Sequence, residues 1–223
     1  MTEYKWSDPP SRTAFPIARA GYRPIIAAAF VTAVLALIGL TLPALLGLVI
    51  TAFICYFFRD PDRIIPIEPG AMVSPADGKV ISADTVTSNP LGDGACLKVS
   101  VFMSVFNVHV NRMPSAGRIT RILYYPGTFF SANLDKASDQ NEHNAVFYQM
   151  ETGRNICVVQ IAGLIARRII CYVNENENVD RGQRFGIICF GSRLDLYLPK
   201  EARLTVSVGD KVKAGKSIVA YLR

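Results

Sequence analysis

The sequence predicts a mainly β fold: a compact antiparallel β domain with a few short helices, preceded by an N-terminal membrane helical hairpin. Two observations predict this fold class. Residues 25–58 contain no charged side chain, although charged residues make up 19% of the chain. From residue 64 onward, short runs rich in Val, Ile, Tyr and Phe alternate with Gly, Pro, Asn and Asp, which is typical of strands joined by turns.

The uncharged segment is expected to form a hairpin because it is too long for one straight span. As a single helix it would measure about 51 Å, well beyond the ~30 Å hydrocarbon core of a bilayer. Gly39 and Pro43 interrupt it near the middle, which favours two helices at residues 25–40 and 44–58 with both ends on one side of the membrane. A single tilted or kinked span is the alternative, and it would place the C-terminal domain on the opposite face from the N-terminus.

Basic residues flank the uncharged segment on both sides, at Lys5, Arg12, Arg19 and Arg23 before it and at Arg59 and Arg63 after it. Cationic flanks stay in the cytoplasm, so we expect the polar leader (residues 1–24) and the β domain (residues 59–223) on the cytoplasmic side of the cell membrane. The net charge of +6 suits a protein that contacts anionic membrane lipids. A cleavable signal peptide is disfavoured because the apolar run is too long and begins too far into the chain.

Composition excludes several classes of function. The cysteines are odd in number, scattered and without metal spacing, which indicates reduced thiols in a protein core. With two histidines, a histidine-rich metal centre is not expected, and we predict no bound metal. Nucleic-acid binding is not expected either, since no basic block, zinc spacing or RNA-binding aromatic signature is present.

The β-rich part of the chain predicts a series of short strands. Candidate strands cover residues 71–73, 79–85, 96–103, 118–125, 145–151, 155–161, 184–190, 193–198 and 217–222. Residues 161–171 are ambiguous and could form a helix. Residues 74–80 and 208–215 are turn sequences that each resemble half of a lipoyl or biotinyl carrier barrel, in which such hairpins pair. The chain has no Met-Lys-Met carrier tip, which disfavours a carrier function.

The dipeptide Gly191-Ser192 follows a β-like run and is the feature that points to chemistry. A serine held at a tight glycine turn can attack the carbonyl group before it and cut the chain. Taken alone, the pair is equally an ordinary hairpin glycine beside a hydrogen-bonding serine. The surrounding sequence must therefore show whether this pair is a cleavage site or an ordinary turn.

That setting consists of motifs in a fixed order: YFFRDPDR at residues 56–63, SPADG at 74–78, FMSVFNVHVNR at 102–112, NEHN at 141–144 and FGSR at 190–193. Together, at these separations, they resemble phosphatidylserine decarboxylase, in its short, archaeal-like form. The resemblance covers nearly everything after the first two dozen residues.

The resemblance implies that the β domain of residues 59–223 is a catalytic domain that cleaves itself between Gly191 and Ser192. The Ser192 hydroxyl attacks the Gly191 carbonyl to give an ester, and β-elimination leaves dehydroalanine, which becomes a pyruvoyl group with loss of ammonia. The two products would remain together as a heterodimer of β and α chains. This covalent cofactor forms a Schiff base with phosphatidylserine and accepts the electrons left by carbon dioxide, so that phosphatidylethanolamine is produced.

Both self-cleavage and decarboxylation need a group near position 192 that can take up and return a proton. His109 is the first choice because imidazole titrates near neutrality. Asp77 would orient the histidine and stabilise its charge, completing an Asp-His-Ser arrangement. Asp77-Gly78 is also a typical hairpin turn, and both roles can hold together.

The chain departs from the longer bacterial and eukaryotic members, which carry two histidines three residues apart in this motif. Here His109 is followed by Arg112, so one histidine covers both steps or another residue covers one of them. His143 is expected to be structural or to face a phosphate. Arg112 is the first candidate ligand of the lipid phosphate, and Arg118, Arg121 and Arg193 are further options.

Two alternatives stay open on the sequence. One is a pyruvoyl decarboxylase for a lipid with another amino headgroup. The other, from a different class, is a membrane-anchored β-barrel binding module with no self-cleavage.

Overall fold

The computed structural model describes residues 4–5, 15–92, 94–129, 141–163, 168–189 and 191–222. The chain divides into two compact units, one of residues Pro10–Asp62 and one that combines Met1–Pro9 with Arg63–Arg223. Among the described residues, helices occur in the first unit and the second is built from strands. The mainly antiparallel β prediction is confirmed, whereas the short helices expected within the β domain are not found in its described part.

The first unit is a pair of helices joined by a tight turn. A 3-10 turn (Arg19–Gly21) leads into α1 (Tyr22–Leu37), and α2 (Thr41–Phe57) follows. Gly39 lies in the turn with a φ of 79°, a left-handed conformation that favours glycine. The helix α2 begins before Pro43 rather than after it, because a proline in the first turn lacks an N–H that would have no helical partner there.

The two ends of this helix pair meet. The N–H of Ala18 donates to the carbonyl of Phe58 at 2.8 Å, and Ile17 and Arg59 form an antiparallel bridge. The segment Arg19–Leu37 is long and apolar enough to cross a membrane, while α2 is apolar but shorter. The chain therefore enters and leaves this unit at the same end.

Small residues bring α1 and α2 close together. The hydroxyl oxygens of Thr32 and Thr51 lie 3.2 Å apart, and a Cβ atom on Gly47 would be 2.6 Å from the Thr32 hydroxyl. Close approach at a glycine, with hydroxyls that bond across the helices, is a typical means of helix association in apolar surroundings.

Gly47→Ile is therefore expected to force α1 and α2 apart, at a cost of about 1–3 kcal/mol for overpacking. In a Thr32→Cys, Thr51→Cys background, the yield of the 32–51 disulfide, measured by mass spectrometry after digestion, should fall with this substitution. Ala52→Ile is the matched control because Ala52 is exposed on the same helix. Equal yields from the two variants would contradict the contact.

The second unit contains an antiparallel sheet that is eight-stranded among the described residues, with the order β11-β7-β8-β9-β13-β5-β4-β15. Its strands are β4 (Gly78–Val86), β5 (Cys96–Met103), β7 (Gly117–Tyr125), β8 (His143–Gln149), β9 (Asn155–Ala162), β11 (Asn178–Val179), β13 (Ser192–Pro199) and β15 (Lys211–Val212). Smaller sheets contain β1 (Tyr4–Lys5) and β2 (Ile65–Pro66); β6 (Val110–Arg112), β10 (Ile169–Cys171) and β12 (Arg184–Ile188); and β3 (Ala71–Val73), β14 (Arg203–Leu204) and β16 (Ile218–Tyr221).

All the predicted strands are present, with bounds within about two residues of those expected. The strands that the sequence did not predict are two or three residues long. In the ambiguous stretch of residues 161–171, strands occupy both ends, and residues 164–167 lie outside the described part. The two turn sequences that resemble carrier-barrel hairpins are brought together, because β15 pairs with β4 and β16 pairs with β3.

Strand β13 lies at the centre of the large sheet and positions the candidate site. It pairs with β5 on one side and β9 on the other, and its leucines at 194, 196 and 198 point into the main apolar core. The opposite face of the sheet carries a smaller apolar cluster that includes Cys96, Cys157 and Tyr197. Burial raises the pKa of the Cys96 and Cys157 thiols, as expected for cysteines that act as core residues.

Candidate active site

The Gly191-Ser192 pair forms the start of strand β13. Ser192 is fully buried and pairs with Met103 of β5 and Ala162 of β9. Gly191 has a φ of 69°, which is left-handed backbone, and a Cβ atom there would meet no other atom within 4 Å. The backbone conformation, rather than crowding, thus favours glycine at this position. Phe190, the first residue of the predicted FGSR motif, lies outside the described residues.

His109 is held beside this pair by strand pairing. It directly precedes β6, in which Val110 pairs with Ile187 of β12, the strand that leads towards Gly191. Its Nδ1 lies 3.0 Å from the carbonyl oxygen of Asn107, and the N–H of Gly191 donates to its Nε2 at 3.4 Å. A carbonyl oxygen can only accept, so Nδ1 carries the proton and Nε2 presents its lone pair to Gly191. The structure therefore brings His109 and the predicted cleavage position together, with the imidazole in a form able to take up a proton.

The hydroxyl of Ser192 points to a different neighbour. Its Oγ lies 4.0 Å from the sulfur of Met103, which is a weak acceptor. The imidazole of His109 thus accepts from the Gly191 amide, whereas the neighbour of the Ser192 hydroxyl is the sulfur of Met103.

Asp77 lies in a different set of contacts. Its carboxylate forms an ion pair with Arg63, with distances of 3.1 and 2.8 Å to Nη2, and it accepts from the N–H of Ala214 at 2.7 Å. In this conformation the carbonyl of Asn107 orients Nδ1 of His109, and Asp77 instead connects the turns at residues 74–80 and 208–215. The hairpin turn expected at Asp77-Gly78 is not formed, because the strands on either side lie in different sheets: β3 pairs with β16, whereas β4 pairs with β5 and β15.

The arginines and the second histidine are spread over the β unit. Arg112 is buried and donates from Nη1 to the carbonyl of Gly182 at 2.9 Å, so it is not an ordinary surface arginine. His143 stacks on Tyr125 with ring centroids 4.7 Å apart. Two of the arginines considered as phosphate ligands are exposed: Arg118 bonds to Asn176, and Arg121 lies over the ring of Phe147.

Arg193, the remaining arginine considered for phosphate binding, belongs to a buried charge cluster. Its Nε and Nη2 donate to the carboxylate of Asp195 at 2.7 and 2.8 Å, and Lys98 Nζ lies 3.1 Å from the same carboxylate. Burial by itself raises the pKa of Asp195, but the hydrogen bonds and charge of Arg193, and then the charge of Lys98, outweigh it, so the pKa is lowered from the ordinary 3.8.

Asp195→Asn is expected to destabilise the β unit by about 3–5 kcal/mol near pH 7, because it leaves Arg193 buried without its anionic partner. A lowered pKa in the folded chain means that the stabilisation is fully present above pH 3.8 and is lost as the pH falls through the lower, folded-state pKa. The difference in Tm between wild type and Asp195→Asn should thus be constant from about pH 8 to pH 5 and should shrink below about pH 4. Asp84→Asn, at an exposed position of β4, is the control and should change Tm little at any pH. If the Tm difference between wild type and Asp195→Asn instead grows on acidification, the pKa of Asp195 is not lowered in the folded chain.

Comparison with known proteins identifies the class of this chain. Residues 50–220 match the model of the family "Phosphatidylserine decarboxylase", a family of decarboxylase enzymes. The "Phosphatidylserine decarboxylase proenzyme" of Syntrophus aciditrophicus (strain SB) is 55% identical over 174 residues, which cover 78% of this chain and 82% of that protein. The proteins of the same name from Desulfotalea psychrophila and Burkholderia ambifaria (strain MC40-6) are 46% identical over 207 residues and 49% identical over 210 residues. These two matches cover 93% and 92% of this chain, and 97% and 96% of the relatives.

The chain is therefore a member of a decarboxylase family by both its sequence and its motifs. It belongs to the phosphatidylserine decarboxylase family, as the motif order in the sequence predicted.

Proposed function

We propose that this chain is a zymogen that cuts itself between Gly191 and Ser192 and then converts phosphatidylserine to phosphatidylethanolamine at the cell membrane. One observation carries the proposal: the lone pair of a neutral His109 faces the amide of Gly191, directly before the buried Ser192. The relatives are named proenzymes of phosphatidylserine decarboxylase, which supports the same conclusion.

Self-cleavage would use the residues of the junction in two stages. In the first, Ser192 Oγ attacks the Gly191 carbonyl carbon, His109 takes the hydroxyl proton, and that proton passes to the leaving nitrogen as the C–N bond breaks. The product is an ester between the two residues. In the second, a base removes the Cα proton of Ser192, the Cβ–O bond breaks, and the Gly191 carboxylate leaves with the electron pair. The dehydroalanine at position 192 tautomerises, adds water and loses ammonia, which leaves a keto group.

The surroundings fit a pyruvoyl group at position 192. Ser192 is buried at the end of a central strand, while the adjoining Gly191 is half-buried with open space beside it, so a new chain end could form there without a clash. When present, such a group condenses with an amine and accepts the electron pair released when carbon dioxide leaves. His109 would hold or return the proton that the reaction requires. Arg112 is proposed as a ligand of the lipid phosphate.

The two cleaved chains are proposed to stay together as a heterodimer. Residues 192–223 contribute β13, which pairs with β5 and β9 along its length, as well as β15 and β16, which pair with β4 and β3. Cleavage at the first residue of β13 breaks none of these ladders. The buried leucines of β13 would hold the fragment in the core.

We place the catalytic domain of residues 59–223 on the cytoplasmic side of the membrane. The helix pair in residues 25–58 would be the membrane-embedded hairpin, and residues 1–24 the polar leader. Basic residues on both flanks of the apolar segment support this arrangement. Anchoring confines the domain to the interface where the lipid headgroup lies. The effective concentration of the headgroup at the domain is therefore raised.

The experiment that tests the proposed function is intact mass spectrometry of the purified chain, combined with release of carbon dioxide from phosphatidylserine vesicles. We expect one fragment that ends at Gly191 and one of residues 192–223 that lacks a free amino terminus. An intact chain would support the β-barrel binding module instead. Cleaved chain that is inactive on phosphatidylserine but active on another amino-headgroup lipid would support the alternative substrate.

Asp77→Ala is expected to slow self-cleavage at least about tenfold, since it removes the carboxylate that holds the two turns and that is proposed to stabilise charge on His109. Asp77→Asn keeps an oxygen that can accept from the Ala214 N–H, which joins the two turns. It should therefore cleave itself faster than Asp77→Ala does. Pulse-labelled synthesis followed by electrophoresis measures both rates. Maturation of Asp77→Ala at the wild-type rate would remove Asp77 from the proposed machinery.

A further inference from the structure

Three amide side chains form a buried, directional chain of hydrogen bonds beside the Gly191-Ser192 junction. The Nδ2 of Asn144 donates to Oε1 of Gln160 at 3.0 Å, and Nε2 of Gln160 donates to Oδ1 of Asn111 at 2.9 Å. All three side chains are buried. Because Asn111 accepts through its oxygen from Gln160, the amide orientation is fixed and its NH2 group must point elsewhere.

That NH2 group points to the atom that Ser192 also approaches. The Nδ2 of Asn111 lies 3.7 Å from the sulfur of Met103, and Oγ of Ser192 lies 4.0 Å from the same sulfur. A thioether is a weak acceptor. Two buried donors therefore converge on one poor partner, whereas buried donors in proteins normally have a strong one.

The backbone makes room for this arrangement. Asn111 lies in β6 opposite Gly186 of β12, and a Cβ atom on Gly186 would be 2.6 Å from Nε2 of Gln160. The absence of a side chain at Gly186 thus allows Gln160 to reach Asn111 across the strands. The amide chain is built into the packing of β6, β8, β9 and β12 and is not a surface feature.

We propose that Asn111, positioned by Gln160 and Asn144, donates a hydrogen bond to Ser192 Oγ in the first stage of self-cleavage, as the hydroxyl proton passes to His109 and negative charge develops on the attacking oxygen. The inference rests on the proposed self-cleavage at this junction. In the precursor, the NH2 group of Asn111 has only the weakly accepting sulfur of Met103 as its partner. Turning from that sulfur to the anionic Ser192 oxygen therefore gives up a weak hydrogen bond and forms a charge-assisted one. A donor with this difference between the two states accelerates the step in which the charge appears. Gln160 and Asn144 are positioning residues, since they act through Asn111.

The test follows cleavage of the full chain made by pulse-labelled cell-free synthesis in detergent. Asn111→Leu is expected to slow self-cleavage on the order of 10²-fold. Gln160→Met is expected to slow it about tenfold, and the double variant should be no slower than Asn111→Leu alone, because Gln160 acts through Asn111. If Asn111→Leu is unfolded by circular dichroism, Asn111→Ala takes its place.

Tyr148→Phe is the matched control. It removes another buried hydrogen bond of the same core, between Tyr148 and Ser115 at 3.0 Å, and should cleave at the wild-type rate. Hydroxylamine, which cleaves esters but not peptide bonds, identifies the step: Asn111→Leu should accumulate no hydroxylamine-sensitive ester. The inference is overturned if Asn111→Leu cleaves as fast as a wild type that does cleave. It is also overturned if Tyr148→Phe is slowed as much as Asn111→Leu, or if Asn111→Leu accumulates the ester. If wild type itself stays intact, it is the proposed function that fails.

Discussion

The Ser192→Ala variant is expected to remain a single chain from residue 1 to residue 223 and to have no decarboxylase activity. Alanine lacks the oxygen that attacks the Gly191 carbonyl, so neither the ester nor the keto group can form. Ser192 is fully buried at the start of β13 and its hydroxyl contacts the sulfur of Met103, a weak acceptor, so its removal should disturb the fold little. Denaturing electrophoresis and intact mass measure the first outcome, and carbon dioxide release measures the second.

Ser100→Ala is the matched control for this variant. Ser100 is buried on the neighbouring strand β5 and pairs with Asp195 of β13, so it tests the loss of a buried hydroxyl from the same sheet. It should mature and act as the wild type does. Fragments of the normal size from Ser192→Ala would show that another residue cuts the chain, and decarboxylation by the uncut variant would remove the need for a group derived from Ser192.

The architecture of this chain could be predicted from local patterns because its main elements are locally encoded. The long strands contain runs of β-branched and aromatic residues, and the two helices carry no charged residue after Arg23. Gly39 and Pro43 marked the turn between the helices, although α2 begins before the proline. The missed strands are short, and they depend on pairing with distant partners rather than on a pattern of their own.

The candidate site could be predicted only in part. The order of the sequence motifs and the types of residue in them indicated Gly191, Ser192 and His109 as site residues. The structure brings these three residues together. The contacts of Asp77 with Arg63 and Ala214 could not be predicted, because the second joins residues far apart in the chain. One signal of the amide chain was present: Gln160 is a polar residue inside the apolar run that forms β9, which suggests a buried partner.

Replacement of His109 by glutamine is expected to reduce the rate of self-cleavage by about 10²–10⁴-fold, the usual contribution of a general base. Glutamine can still accept from the Gly191 N–H, but it cannot take up the Ser192 proton, so the variant separates proton transfer from orientation. His143→Gln is the matched control, because Nδ1 of His143 lies 2.7 Å from the carbonyl of Asn141, two residues before it, as Nδ1 of His109 lies 3.0 Å from that of Asn107. Pulse-labelled synthesis measures both rates, and His143→Gln should cleave normally. A normal rate for His109→Gln would mean that the imidazole facing Gly191 orients the junction but does not act as its base.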